Sequence, residues 1–419
     1  MGCPRQNSLG TRCHTHITTQ MATIAPNTQE LNYDCLPFDI LCLVFEFLSA
    51  EGPLHLRGAL FVCKSWYFAG VLSPQLWTNV VIDGIFINHF TCHANEAGSA
   101  FLLQCVKRSQ SRPLRMRWIF TGLANPVSGN NPQNQLETET VIASITKLII
   151  TLRDAGAFDR CTSLEWEVDF FASGDWTTPL LPVELPVLRR LFVINLYTSD
   201  APYKYMQFPK CPQLRDIIMS NYTEFTPYFC KLESEEVESL VFHNGSEWYS
   251  EDRSIISRFT SLRSLVLGTG LDEPCRHYPA SYSPTYVSRH GAPDDFCIRL
   301  PLLTSLHVHG FIPGPVLEEL DVPSLLSLRI TAESTRGDHS LGLISEAPLR
   351  HFPRDLYVSL EPLREGSDEW LDDLVNVVES MNSLTVLHVS SPIAERLKKR
   401  SWRNVTLVVE SSSYKNVVE

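Results

Sequence analysis

The side chains able to do chemistry in this 419-residue chain are numerous but scattered. Its twelve cysteines and thirteen histidines give two short groups with metal-ligand character. These are Cys13, His14 and His16 in "CHTH", and His89, Cys92 and His93 in "HFTCH". A structural zinc site needs four nitrogen or sulfur ligands, supplied in two matched halves. Neither group has its second half and the chain contains no C-x-x-C pair, so both read as solvated loops. The adjacent acids Glu235-Glu236 and Asp372-Asp373 read as solvated faces rather than a proton-sharing pair. No G-x-S-x-G, H-E-x-x-H, phosphate-cradling G-x-x-x-x-G-K or EF-hand loop occurs. The "GTG" at Gly268 lacks the third glycine and the strand–helix setting of a dinucleotide fingerprint. No catalytic residue, metal site or cofactor is expected, and the chain reads as a non-enzyme.

Bulk properties narrow the partners. A net charge of −12 argues against a general phosphate-binding surface, and so against nucleic acid. Hydrophobic residues at 44% and charged residues at 20% are ordinary for a globular chain, so extensive disorder is not expected. The length implies two or three units or one repeat array. No apolar run reaches the roughly eighteen residues that span a membrane. Residues 1–30 read as a disordered leader without an apolar signal core. The chain opens Met-Gly, but its serine is Ser8, which does not fit a myristoylation motif. The expected location is the cytoplasm, the nucleus or both, with free thiols. The sequons at Asn221, Asn244 and Asn404 then carry no meaning.

The elements that position these residues fall into two signals. The first is "LPFDILCLVFEFLSAEGPLHLRGALFVCKSWYFAGVLSPQLW", Leu36 to Trp77. Ile40, Leu41, Val44, Phe45 and Leu48 recur at helical spacing after Pro37 and Asp39. Gly52-Pro53 breaks that helix. A second run holds Leu54, Leu56, Leu60, Phe61 and Val62, and a third runs from Lys64 to Val71.

The second signal is a repeat. L-x-x-L-x-[VLIMF] begins at Leu188, Leu214, Val237, Leu262, Leu303, Leu325 and Leu384. A weaker copy starts at Leu164, and "LRHF" from Leu349 would split the last interval into 24 and 35 residues. A period in the twenties is the mark of a leucine-rich repeat solenoid, each unit giving one short strand and a return segment. The array is irregular. Residues 268–300 form a Pro/Ser/Tyr-rich insertion, "TGLANPVSGNNPQNQ" a loop, "VIASITKLIITLRDAG" a helix, and Asp368–Asn382 a late helix. Asn195, Asn221 and Asn244 read as turn residues. The expected fold class is α/β, with a helical module at 31–80, a connecting region at 81–140, and the solenoid at 141–419.

The first stretch resembles an F-box. The matching residues are Leu36, Pro37, Asp39, Ile40, Leu41, Val44, Phe45, Leu48, Pro53, Leu54, Leu56, Val62, Cys63, Lys64, Trp66, Ala69, Pro74, Leu76 and Trp77. With degenerate leucine-rich repeats behind it, the architecture is similar to many fungal F-box proteins. The resemblance implies a three-helix F-box that docks on the Skp-type adaptor of an SCF ubiquitin ligase, and through it on a cullin. It implies adaptor contacts at Leu36, Pro37, Ile40, Leu41, Val44, Phe45, Leu48, Leu54, Val62, Cys63 and Trp66. The rest of the chain would capture a target protein. A module of about forty residues cannot bury so many apolar groups by itself, which suits docking, and Trp77 is expected to seat it on the repeats. If the apolar repeat positions point inward, the residues between them line the open, concave face of a solenoid. These are Phe192, Ile194, Ile218, Val241, His243, Val266, His307, His309, Arg329 and His388. Two alternatives remain open: a non-catalytic repeat scaffold, and a ligand sensor, each without a role in ubiquitylation.

Overall fold

A computed structural model describes residues 36–50, 52–84, 86–87, 95–120, 132–168, 184–195, 209–220, 236–243, 256–268, 297–309, 319–332, 353–360, 369–398 and 405–410. The leader lies outside them.

The apolar spacing at the start of this range folds as three short helices: α1 (Phe38–Ala50), α2 (Pro53–Leu60) and α3 (Lys64–Leu72). Asp39 lies in the first turn of α1, where the exposed N–H groups favour a carboxylate. Pro53 opens α2, where its missing N–H costs nothing. Between them Gly52 has φ 113°, and a Cβ there would lie 2.9 Å from the Cβ of Val81. Only glycine lets the helical hairpin turn there and close on the next strand. The helices enclose Leu41, Phe45, Leu56, Ala59, Leu60 and Ala69, together with Leu76 and Trp77 from a 3₁₀ turn at Pro74–Trp77. The Trp77 indole Nε1 donates to the Gly70 carbonyl at 2.9 Å. Asn79 donates from Nδ2 to the carbonyls of Ser49 and Ala50, at 3.1 and 2.8 Å, and so caps the end of α1 from the next strand.

Beyond the three helices the chain is mixed α/β. In order it runs β1 (Asn79–Ile82), α4 (Asn95–Arg108), β2 (Leu114–Phe120), α5 (Pro132–Asp154), β3 (Cys161–Val168) and β4 (Arg190–Asn195). Then come β5 (Asp216–Ser220), β6 (Ser239–His243), β7 (Ser264–Gly268), β8 (Ile298–Arg299), β9 (Ser305–His309), β10 (Leu320–Asp321), β11 (Ser327–Ala332) and β12 (Asp355–Leu360). The chain continues with α6 (Glu369–Ser380), β13 (Val386–Ser390), α7 (Ser391–Leu397) and β14 (Thr406–Glu410). Twelve strands form one parallel sheet in the order β1-β2-β3-β4-β5-β6-β7-β9-β11-β12-β13-β14, and β8 pairs with β10 apart from it.

The period-2 alternation of each strand sets the register. The second apolar position of each unit aligns with its neighbours as Leu164, Leu191, Ile217, Leu240, Leu265, Leu306, Leu328, Leu356 and Leu387. All nine are buried. The first apolar position enters a tight turn ahead of the strand. Leu188, Leu214, Leu262, Leu303, Leu325 and Leu384 each donate a backbone N–H to the carbonyl three residues earlier. Side chains from α4, α5, α6 and α7 join the same core. At the end of α4, Arg160 holds the Val106, Gln110 and Arg112 carbonyls and the Ser109 hydroxyl, so a half-buried cation satisfies the helix C-terminus.

Three expectations change. Residues 81–140 are not a separate connector: β1, α4, β2 and the start of α5 are in that range or border it, so the sheet begins at Asn79. The leucine pattern misses β2 because its buried positions are Leu114, Met116 and Trp118, with arginines between them. The strand in the long interval before Leu384 is β12. Buried Pro353 takes the place of the leading leucine, and the interval from Leu325 divides into 28 (353 − 325) and 31 (384 − 353). Leu349 lies outside the described residues. Asn195 ends β4 rather than forming a turn, while Asn221 and Asn244 lie outside. Most of the 268–300 insertion is also outside, but β7 pairs directly with β9, so the insertion leaves the ladder intact.

Candidate functional site

Two surfaces stand out, and both arise from side chains that their own elements do not use. The first is on the three-helix module. At 100° per residue, Leu41, Phe45 and Leu48 share one side of α1, and Ile40, Leu43 and Phe47 the other. Phe45 is fully buried, with its ring edge-on to Trp66 at 5.5 Å. Leu43 and Phe47 are 61% and 78% exposed. A helix apolar on both sides is half in a core and half facing something else. Further exposed apolar groups lie in the turn between α2 and α3 (Phe61 and Val62) and along α3 (Tyr67, Phe68 and Leu72), with Phe38 at the start of α1. Among the described residues, nine of thirteen exposed large hydrophobics come from this module. Scattered exposed leucines mean little, whereas such a concentration is unusual for the surface of a folded chain.

The eleven residues expected to contact an adaptor divide by position. Pro37, Ile40 and Val62 are exposed; Leu36, Val44, Leu48, Leu54, Cys63 and Trp66 are half-buried. Leu41 and Phe45 are enclosed in the module's own core, because their side of α1 meets α2 and α3. Leu54 packs against the core of the sheet, while Leu36, Leu48 and Trp66 pack against that of the module. Phe38, Leu43, Phe47, Phe61, Tyr67, Phe68 and Leu72 were not anticipated. The signal was in the sequence, as a helix with apolar residues on both sides. Trp77 does sit at a junction: its core includes Cys105 of α4, and the Arg108 guanidinium lies 4.5 Å over its ring.

The second surface is the side of the sheet opposite the core. Register aligns Phe192, Ile218, Val241, Val266, His307, Arg329, Tyr357 and His388 in one row across eight strands. All eight are half-buried. Ile194, His243 and His309 fall in the next row with Ser220, Gly268 and Thr331. The candidate residues therefore do come together in the ladder. Tyr357, which the leucine pattern missed because it does not locate β12, completes the row. Its ring stacks on His388 with centroids 3.9 Å apart and planes 11° apart, and the Arg329 guanidinium lies 5.3 Å from its centroid. His307 Nε2 is 2.9 Å from the Thr331 hydroxyl.

Burial pushes the thiols of Cys105, Cys161 and Cys211 up to about 12, so they stay protonated at neutral pH. Among the described residues, no group of three or more His, Cys, Asp or Glu could hold a metal ion. The two histidine–cysteine groups of the sequence lie outside the described residues. Also among the described residues, no helix is long and apolar enough to cross a membrane. No family model matches the chain, and no curated protein matches it either.

Proposed function

We propose that the chain is the substrate-recognition subunit of an SCF-type ubiquitin ligase. Its F-box-like module docks on a Skp-type adaptor, and its leucine-rich-repeat-like sheet captures a target protein. The observation that carries this reading is the double-sided helix α1, which fills a core with Leu41 and Phe45 and still leaves Ile40, Leu43 and Phe47 exposed. Removing a side chain of that size from water contributes about 1.5–3 kcal/mol. Three of them, joined by Phe61, Val62, Phe68 and Leu72, offset an association cost of roughly 4–15 kcal/mol. Catalysis is not asked of the chain: holding a target near a charged conjugating enzyme raises its effective concentration.

The test is affinity purification of the full chain, comparing wild type with the double variant Leu43→Asp/Phe47→Asp. Wild type is expected to recover the adaptor and the cullin. The variant, altered only at exposed positions, is expected to lose both while keeping its fold. Failure of wild type to recover the adaptor would refute the proposal.

A further inference from the structure

The sheet has two edges, and they end differently. At β1 the helical module closes the edge: the Asn79 amide donates to the Ser49 and Ala50 carbonyls, and Val81 lies against Gly52. At the other edge the ladder stops. Among the described residues β14 pairs with β13 alone.

Two apolar rows run along the core side of the sheet and reach this second edge. One runs through Leu356, Leu387 and Leu407, the other through Val358, Val389 and Val409. Their members on β12 and β13 are buried, whereas Leu407 is half-buried and Val409 is 45% exposed. Leu407 still packs against the core, so β14 belongs to the stack. Each unit of a repeat array buries its apolar side against the next, and the last one needs a cover.

The backbone of β14 is open on the same flank. The Thr406 N–H donates to the Thr385 carbonyl. The polar groups of successive strand residues point to alternate sides. Thr406 and Val408 therefore serve β13, while Leu407 and Val409 present N–H and C=O outward. A lysine, a proline or a bulge commonly blunts such an edge. Thr406–Val409 contains neither residue, and its register with β13 is unbroken.

We propose that β14 pairs antiparallel with the same strand of a second copy of the chain, about a two-fold axis at Val408. This goes beyond the ligase reading and does not depend on it. Self-complementarity selects the occupant. In this register Leu407 stands opposite the partner's Val409, Val409 opposite the partner's Leu407, and Val408 opposite the partner's Val408. All of these cross-strand pairs are aliphatic, a favourable combination. The outward-facing residues form the hydrogen-bonded pairs, each exchanging two N–H···O bonds. Residues directly opposite share a face, so both apolar rows continue into the partner instead of ending in water. A five-residue strand gives a small contact, so the dimer is expected to be weak and reversible.

Sedimentation velocity on the full chain, from about 1 to about 100 µM, tests this. Wild type is expected to pass from monomer towards dimer across that range. Val409→Pro removes the outward N–H and leaves those that β13 uses intact, a substitution that edge strands tolerate. It deletes one hydrogen bond per copy and is expected to weaken the dimer roughly tenfold or more. Val409→Lys, at an exposed position, is expected to act in the same direction by placing a charge on the edge. Unchanged thermal melts report intact folds. A wild type that stays monomeric at about 100 µM, or a dimer that either variant leaves intact, would overturn the proposal. So would slow exchange of the Leu407 and Val409 amides in the monomer, which would show the edge already paired within one chain.

Discussion

Phe45 and Phe47 stand two residues apart on α1 and make opposite uses of the same side-chain chemistry. Phe45 is fully enclosed and meets the edge of Trp66, whereas Phe47 is 78% exposed. Truncating a buried phenylalanine to alanine costs about 3–5 kcal/mol, from lost transfer energy and the cavity left behind. A module of this size has little stability to spare. Phe45→Ala is therefore expected to speed amide hydrogen exchange across α1–α3 by roughly 140- to 4,000-fold. Phe47→Ala removes almost nothing from the fold, so its exchange is expected to stay within about 0.5 kcal/mol of wild type. Its cost appears in binding instead. If α1 docks as proposed, the lost anchor contributes about 1.5–3 kcal/mol, or roughly 10- to 150-fold in adaptor affinity. Exchange read by mass spectrometry on the full chain gives the first quantity, and titration with purified adaptor the second. Equal exchange in the two variants, or faster exchange in Phe47→Ala alone, would refute the assignment of the two sides of α1.

Two glycines predict opposite signs. Gly52→Ala meets both a φ of 113° and the Val81 side chain at 2.9 Å, and is expected to destabilise the module by about 1–3 kcal/mol. Gly58 lies within α2 with nothing near its missing Cβ, so Gly58→Ala is expected to stabilise by roughly 0.4–1 kcal/mol; denaturant melts of both check this. The buried thiols set an alkaline limit. Cys105, Cys161 and Cys211 titrate near 12 in the fold against 9.0 ordinarily. Their raised folded values mean full stability below about pH 9 and progressive loss from about pH 9 towards 12, as the unfolded chain sheds protons that the fold retains. Iodoacetamide at pH 8 is expected to label exposed Cys297 and spare these three until the chain unfolds, and native labelling of them would contradict their burial.

Much of the scaffold was legible because its periodicities are strong. The seven leucine motifs each precede or enter a strand, while Leu164, expected to start a weaker copy, aligns with Leu191 and so holds the second apolar position of its unit rather than the first. The helical spacing from Ile40 to Leu48 marks α1. The first strands were not legible, since alternation in "LRMRWIF" carries no leading leucine. Nor was β12, where Pro353 stands in the leucine's place. Missing β12 meant missing Tyr357, the residue on which Arg329 and His388 converge.

By itself the sequence determined local order where the periodicity is strong, as in α1 and in the alternation of the leucine-led strands, but it placed the start of α5 at Val141 when the helix begins at Pro132, and it gave no sign of α4 or α7. Those properties depend on neighbours within a few positions, which the chain displays directly. Only the tertiary structure decided which apolar residues are consumed. Leu41 and Leu43 are equally hydrophobic, and the position of α2 and α3 leaves one buried and the other exposed. Only the sheet register brings His307, Arg329, Tyr357 and His388, separated in sequence by twenty residues or more, into one row. Contacts between strands depend on how each intervening segment returns the chain, and that closure is a property of the whole stack rather than of any one repeat.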